Sequence, residues 1–136
     1  MNDARERFAA HVRYWRDALH LANYSIVVTD DLDELGGQCD MNHDSLLANI
    51  RMGDTDEIWT PERIARHEML ELLIEPLYAV MRDFVHPDIS YRAGHEVIHR
   101  LENVLPMPSD KEVGLMGKKK KGKKAKPVEK AKKGKK

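Results

Sequence analysis

The sequence predicts an α+β domain followed by a disordered basic tail, and three observations support this fold class. Apolar residues recur with helical spacing near the N-terminus and again after residue 60. Between these segments lie short runs rich in β-branched residues, which favour strands. Residues 111–136 are mostly Lys, Gly and Ala, so they lack the apolar side chains that a core requires. We therefore expect a helix, a small sheet and two further helices, in that order.

The charge distribution divides the chain at the same place. The formal net charge is zero, from 23 Lys and Arg and 23 Asp and Glu. Residues 1–110 hold ten Arg, 21 acidic residues and no Lys, a net charge of −11. Residues 111–136 hold 13 Lys and two Glu, a net charge of +11. This predicts one folded domain over 1–110 and a separate Lys-rich tail over 111–136, and it excludes a uniformly charged binding protein.

Composition also excludes membrane and disulfide-rich classes. The longest apolar runs span only a few residues, so no segment is expected to cross a membrane. Cys39 is the single cysteine and cannot form an internal disulfide, which favours a reducing compartment. The predicted location is the cytoplasm.

The N-terminal half predicts one helix and two or three strands. The apolar stripe of the helix consists of Phe8, Val12, Trp15, Leu19 and Ala22. His11, within the same helix, is expected at the surface. Strands are predicted at 24–29 and 46–52, with a short third strand at 38–43. The expected sheet is small and either antiparallel or mixed.

Two helices are predicted after the sheet. Thr60 is a favourable N-cap and Pro61 suits the first helical position, so a helix should begin there and run to about Asp83. Its expected core face consists of Leu70, Leu73, Ile74, Leu77 and Met81. The last helix is expected from about Ser90 to Leu105, burying Val97, Ile98, Leu101, Val104 and Leu105.

Both C-terminal helices carry a His-Glu motif. The sequence His67-Glu68-Met69-Leu70-Glu71 lies on the first of them, and His95-Glu96-Val97-Ile98-His99 lies on the second. The second matches the HExxH pattern of zinc peptidases. In that pattern two ligands four residues apart share one helix face, and the adjacent Glu takes a proton from metal-activated water.

Helical geometry favours the first motif as the centre of a site. His67 and Glu71 border the core face, and Glu68 is expected to point slightly further toward solvent. The preceding strand, 46–52, is expected to edge a cleft in which a peptide lies extended.

The second motif has a simpler explanation on its own. His95 and His99 lie on one flank of the last helix, while Glu96 points to solvent. Together with Glu102, these histidines would form an ordinary solvated flank. His95 is nevertheless the expected third ligand, with Glu96 and His99 as alternatives.

Two stretches, 59–77 and 94–102, resemble the minimal zincin-type metallopeptidases, and the closest likeness is to small SprT-like proteins encoded by phages and prophages. The element order is similar over roughly 5–105. The family pattern is HExxH on one helix and an acidic ligand near the start of the next. This chain has a zincin-like HExx(H/E) version, because Glu71 replaces the second His and His95 or Glu96 replaces the acidic ligand.

The resemblance implies a zinc (Zn²⁺) site and a reaction. His67, Glu71 and His95 would hold the metal, and this set of two imidazoles and one carboxylate is usual for a catalytic zinc. Glu68 would be the general base. The implied reaction is hydrolysis of amide bonds in a protein or peptide substrate by metal-activated water, in the cytoplasm of the host cell if the protein is phage-encoded.

The tail supports a second function. Its 13 Lys predict phosphate-driven, sequence-independent binding of nucleic acid, without stacking because residues 111–136 contain no aromatic side chain. The combined prediction is a peptidase that acts on nucleic-acid-associated proteins. The alternative is a catalytically inactive zincin-like scaffold whose tail binds nucleic acid or an acidic partner, and Glu71 in place of His favours that alternative.

Overall fold

The structure, a computed structural model, describes residues 3–42 and 44–116. The described elements are α1 (Asp3–Ala18), β1 (Ser25–Thr29), β2 (Gly37–Asn42), β3 (Leu47–Met52), α2 (Pro61–Met81) and α3 (Pro87–Val104). This order confirms the predicted α+β class. Among the described helices, none has both the length and the apolar character that crossing a membrane requires.

The three strands form a mixed sheet in the order β1-β3-β2. β1 runs parallel to β3, with Ser25 opposite Leu47, and β2 runs antiparallel to β3, with Gly37 opposite Met52. The predicted third strand at 38–43 is β2, and position 43 itself lies outside the described residues. The expectation that 46–52 edges a cleft is wrong, because β3 is the central strand and β2 is the edge strand on that side.

The apolar stripe of α1 packs on α2 and contributes to the core that α2 shares with the sheet. Phe8, Val12 and Trp15 are buried in a core shared with β3 and α2, as the helical spacing predicts. Because α1 ends at Ala18, the stripe does not continue to Ala22, and Ala22 is exposed. Leu21, in the turn that follows, is buried instead.

Helix α2 is the centre of the fold because it buries two faces. Thr60 caps it by accepting a hydrogen bond from the backbone N–H of Arg63 at 3.4 Å, and Pro61 is its first residue, as predicted. One face packs on α1 and the sheet through Ile64, Ala65, Met69 and Leu72. Another face contacts α3, where Leu70 and Ile74 pack on Ile98.

Helix α3 is less buried than the sequence predicts. It begins at Pro87, with His86 as N-cap, rather than near Ser90. Ile98 is fully buried, but Val97 and Val104, expected in the core, are exposed. Leu77 on α2 is exposed as well. The reason is that α3 packs mainly against α2, and within residues 3–42 and 44–116 no other element makes extensive contact with α3.

An ion-pair network joins α1, α2 and the segment that follows α3. Arg7 on α1 pairs with Glu62 on α2 and, at 2.8 Å, with Asp110. These two carboxylates raise the pKa of Arg7 further above its already high value. Residues 109–115 form a hydrogen-bonded turn, which extends into the segment that the sequence assigns to the tail. The predicted disorder of 117–136 lies outside the described residues.

His11 is buried in the domain, and its expected surface position is wrong. It is 1% exposed, and neither ring nitrogen has a hydrogen-bond partner among the described residues. Burial lowers the pKa of His11 below its usual 6.5 and outweighs the Glu62 charge, which opposes it. The charges of Arg7, which also lowers the pKa, and of Asp110, which raises it, have smaller effects.

The buried imidazole predicts acid-sensitive folding. As the pH falls below about 6.5, His11 of the unfolded chain binds a proton while the folded chain resists one, so the free energy of unfolding decreases. A His11→Leu variant should therefore lose less stability than the wild type between pH 8 and pH 5, by at most about 2 kcal/mol. Urea unfolding at both pH values measures this difference.

His20→Asn is the matched control. His20 is exposed and has a positive φ of 56°, a conformation that Asn tolerates. The free energy of unfolding of His20→Asn should decrease between pH 8 and pH 5 by the same amount as that of the wild type. Equal pH dependence in His11→Leu and wild type would contradict the prediction.

Candidate metal centre

Helices α2 and α3 bring three potential metal ligands together. One ligand atom each of His67, Glu71 and His95 lies within 4.8 Å of the other two. Glu71 Oε1 is 3.5 Å from His67 Nε2 and 3.1 Å from His95 Nε2. His67 and Glu71 share a face because they are four residues apart on α2, and His95 comes from the facing side of α3.

Each imidazole is held through its Nδ1 atom. His67 Nδ1 is 2.7 Å from Glu102 Oε1, and His95 Nδ1 is 3.1 Å from the backbone carbonyl oxygen of Tyr91. A carboxylate and a carbonyl accept hydrogen bonds, so both Nδ1 atoms are the donors. Both Nε2 atoms therefore face Glu71, the arrangement in which the Nε2 lone pairs can bind one metal ion.

The surrounding charges favour a cation. Burial alone would lower the pKa of His67, but hydrogen bonds to Glu102 and Glu71 raise it to about 10. Burial would in turn raise the pKa of Glu102, whereas the hydrogen bond from His67 gives it a net decrease. A buried positive charge between these carboxylates is thus stabilised, whether a proton or a metal ion supplies it.

Glu68 does not point toward solvent as expected, and is only 4% exposed. The reason is the edge strand β2, whose Gly37 passes directly over it. A Cβ atom at Gly37 would lie 2.8 Å from Glu68 Oε1 and 2.5 Å from Ile64 Cγ2. Only a residue without a side chain permits this approach.

Glu68 is also electrostatically unusual. Burial, followed by the charge of Glu71, raises the pKa of Glu68 to about 8. Its Oε2 atom has no hydrogen-bond partner among the residues that the structure describes. A carboxyl group with a pKa near neutrality is suited to accept and return a proton.

These groups line one cavity of about 340 Å³ between β2, α2 and α3. His67, Glu68, Glu71 and His95 form part of its wall, together with Gly36, Gly37, Trp59 and Tyr91. The ring of Trp59 packs edge-on against His67, with 5.8 Å between centroids. The cavity therefore gives a substrate access to the candidate ligands and to Glu68 at once.

The two alternative third ligands lie outside the cluster. Glu96 is exposed and forms an ion pair with Arg100 on the solvent side of α3. His99 is exposed too, and its Nδ1 lies 3.4 Å from Glu102 Oε2. Of the three alternatives that the sequence leaves open, His95 is the one whose Nε2 faces Glu71.

Glu102 is the residue of the site that the sequence does not identify, because it fits an ordinary solvated flank. Its spacing could have indicated a role, since His95 and Glu102 are seven residues apart and two helical turns place them on one face of α3. What the spacing could not show is that this face packs against His67. That contact depends on how α3 docks on α2.

Two imidazoles and one carboxylate form a donor set that suits a catalytic zinc with one open position, and the anchored Nδ1 atoms fit this assignment. Carboxylates without imidazoles would instead favour calcium or magnesium. The chemistry of the donor set and the buried carboxyl group of Glu68 therefore fit a zinc site. Comparisons with protein-family models, curated proteins and solved structures found no match to this chain.

Proposed function

We propose that this protein is a zinc-dependent hydrolase of amide bonds in proteins or peptides, akin to the SprT-like metallopeptidases that it resembles in sequence. The observation that carries the proposal is the cluster of His67, Glu71 and His95 next to the buried Glu68 in one cavity. A structural metal would require no such neighbour. A general base beside three ligands is the arrangement that hydrolysis requires.

The roles of the residues follow from their positions. His67, Glu71 and His95 would hold the ion, which when bound supplies Lewis acidity and lowers the pKa of water. Glu68 would accept a proton from the attacking water and return it to the leaving nitrogen. Its burial beneath Gly37 restricts the rotamers available to it, so its carboxyl group is already in place.

The edge strand favours a polypeptide substrate over a small amide. Within the part of the chain that the structure describes, β2 pairs with β3 on one side only, and it passes directly over Glu68. Its other edge offers backbone N–H and C=O groups to an extended chain, which would lie across the cavity. A short, unstructured region of a protein is therefore the expected substrate.

Zinc titration of the full-length protein tests the proposal. One ion per chain is expected by calorimetry and by elemental analysis after dialysis, followed by cleavage of a denatured fluorescent protein substrate. A chain that binds no stoichiometric zinc would refute the metal site. A chain that binds zinc but cleaves no denatured protein would refute the hydrolase while leaving the metal site in place.

The Lys-rich tail supports a second candidate function, non-specific binding of nucleic acid. The affinity should fall with salt, with a slope of log K against log salt of about −0.9 for each phosphate contacted on duplex DNA. Truncation after Met116 removes 12 of the 13 Lys and keeps the turn at 109–115. Fluorescence anisotropy with random-sequence duplexes should show binding by the full chain and little by the truncated one. Equal binding of the duplexes by both proteins would show that the tail is not the segment that binds nucleic acid.

A further inference from the structure

Glu102 is the one carboxylate on α3 that reaches the candidate metal centre without being a candidate ligand. Its Oε1 atom is 2.7 Å from His67 Nδ1, on the side of the ring opposite Nε2. The Glu102 side chain is 16% exposed, whereas that of Glu96 on the same helix is 65% exposed. Glu102 therefore faces the α2–α3 interface rather than solvent.

The contact joins two elements at a functional atom. His67 lies on α2 and Glu102 lies near the end of α3, 35 residues later. Arg66, the neighbour of His67, donates a hydrogen bond to the backbone carbonyl of Leu105 at 3.0 Å. The end of α3 is thus fixed to α2 at two adjacent positions, which gives the Glu102 carboxylate a defined place.

We propose that Glu102 is a positioning residue of the metal centre, which orients the His67 ring by accepting the Nδ1 proton and so directs Nε2 toward the ion. This inference rests on the proposed function. A carboxylate that accepts from the distant nitrogen fixes both the tautomer and the ring orientation of a ligating His, and increases its basicity. Without Glu102, the ring would be free to rotate and to place its proton on Nε2, where it blocks the metal.

Glu102→Ala should weaken zinc binding by the full-length protein by about 10–100-fold. Glu96→Ala is the matched control, because it removes the same charge from the same helix on the solvent side. Its affinity for zinc should stay close to that of the wild type. Competition with a chromophoric zinc chelator measures all three affinities.

The Gln variant separates positioning from folding. Glu102→Gln has almost the same shape and retains an oxygen that can accept from Nδ1, so it should bind zinc more tightly than Glu102→Ala and more weakly than wild type. If Glu102→Ala does not fold, the comparison of Glu102→Gln with Glu96→Gln carries the test. Equal zinc affinity in those two variants would overturn the inference.

The protonation of the His67 ring gives a readout that a purely structural role would not change. In the metal-free proteins at high pH, the ¹⁵N chemical shifts of the imidazole should show a proton on Nδ1 in the wild type and a mixture of tautomers in Glu102→Ala. The same tautomer in both metal-free proteins would overturn the positioning role.

Failure of the inference and failure of the proposed function are distinguishable. A wild-type chain without zinc affinity would overturn both. Zinc binding by the wild type, together with an unchanged zinc affinity in Glu102→Ala, would overturn only the inference. Equal weakening by Glu102→Ala and Glu96→Ala would also overturn it, because a general loss of negative charge would then account for the result.

Discussion

Glu68→Gln is expected to reduce amide hydrolysis by about 10²–10⁴-fold, the usual contribution of a general base. Gln has the shape of Glu and fits beneath Gly37, so the cavity should be preserved. It cannot accept a proton from the attacking water. Because Glu68 is not one of the three clustered ligands, zinc affinity should remain close to that of the wild type.

The combination of lost cleavage and retained zinc distinguishes a base from a ligand. Initial rates on a denatured fluorescent protein and zinc affinities should be measured on the same preparations. Glu96→Gln, on the exposed side of α3, is the control and should cleave at the wild-type rate. Undiminished cleavage by Glu68→Gln would exclude it as the base. Loss of zinc together with cleavage would mean that Glu68 holds the metal.

The fold was predictable where local chemistry determines it. Thr60 and Pro61 give a helix start that depends on no distant contact, and the spacing of Phe8, Val12 and Trp15 identifies the buried face of α1. The sheet was predictable as small and mixed or antiparallel. The order of its strands was not predictable, because the short strands leave several pairings open and the sequence of each strand does not select among them.

The candidate site was predictable in composition but not in environment. Spacing identified His67 and Glu71 as neighbours on one helix face. The burial of Glu68 depends on β2 crossing α2 at Gly37, and the contact of Glu102 with His67 depends on the docking of α3. Both are contacts between distant segments of the chain. A helical wheel describes one helix at a time, so it misplaced both carboxylates.

The predicted burial of apolar residues on α3 was partly wrong for a related reason. The pattern of α3 identifies a face that could be buried, and Ile98 at its centre is buried. How much of that face becomes buried depends on how many elements cover it. Among the elements that the structure describes, α2 is the one that packs extensively against α3, and Val97 and Val104 at the margins of the face are exposed.

His67→Ala is expected to have the largest effect on metal binding. It removes one of three donors and also removes the hydrogen bond that His67 makes to the Glu102 carboxylate in the interface. The loss of zinc affinity should exceed the roughly 10–100-fold expected for an outer residue such as Glu102. Chelator competition measures the affinity, and circular dichroism establishes that the variant is folded.

His20→Asn is the matched control, because it removes an imidazole that belongs neither to the cluster nor to the lining of the cavity. His99 cannot serve as the control, since its ring centroid lies 6.1 Å from that of His67 and its Nδ1 lies 3.4 Å from Glu102 Oε2. Zinc affinity should therefore be nearly unchanged in His20→Asn, and Glu71→His, which replaces one donor by another, should still bind. Zinc binding by folded His67→Ala at the wild-type affinity would contradict the proposed centre. A larger loss in His99→Ala than in His67→Ala would move the site onto α3, around the HExxH motif that the geometry of the cluster argues against.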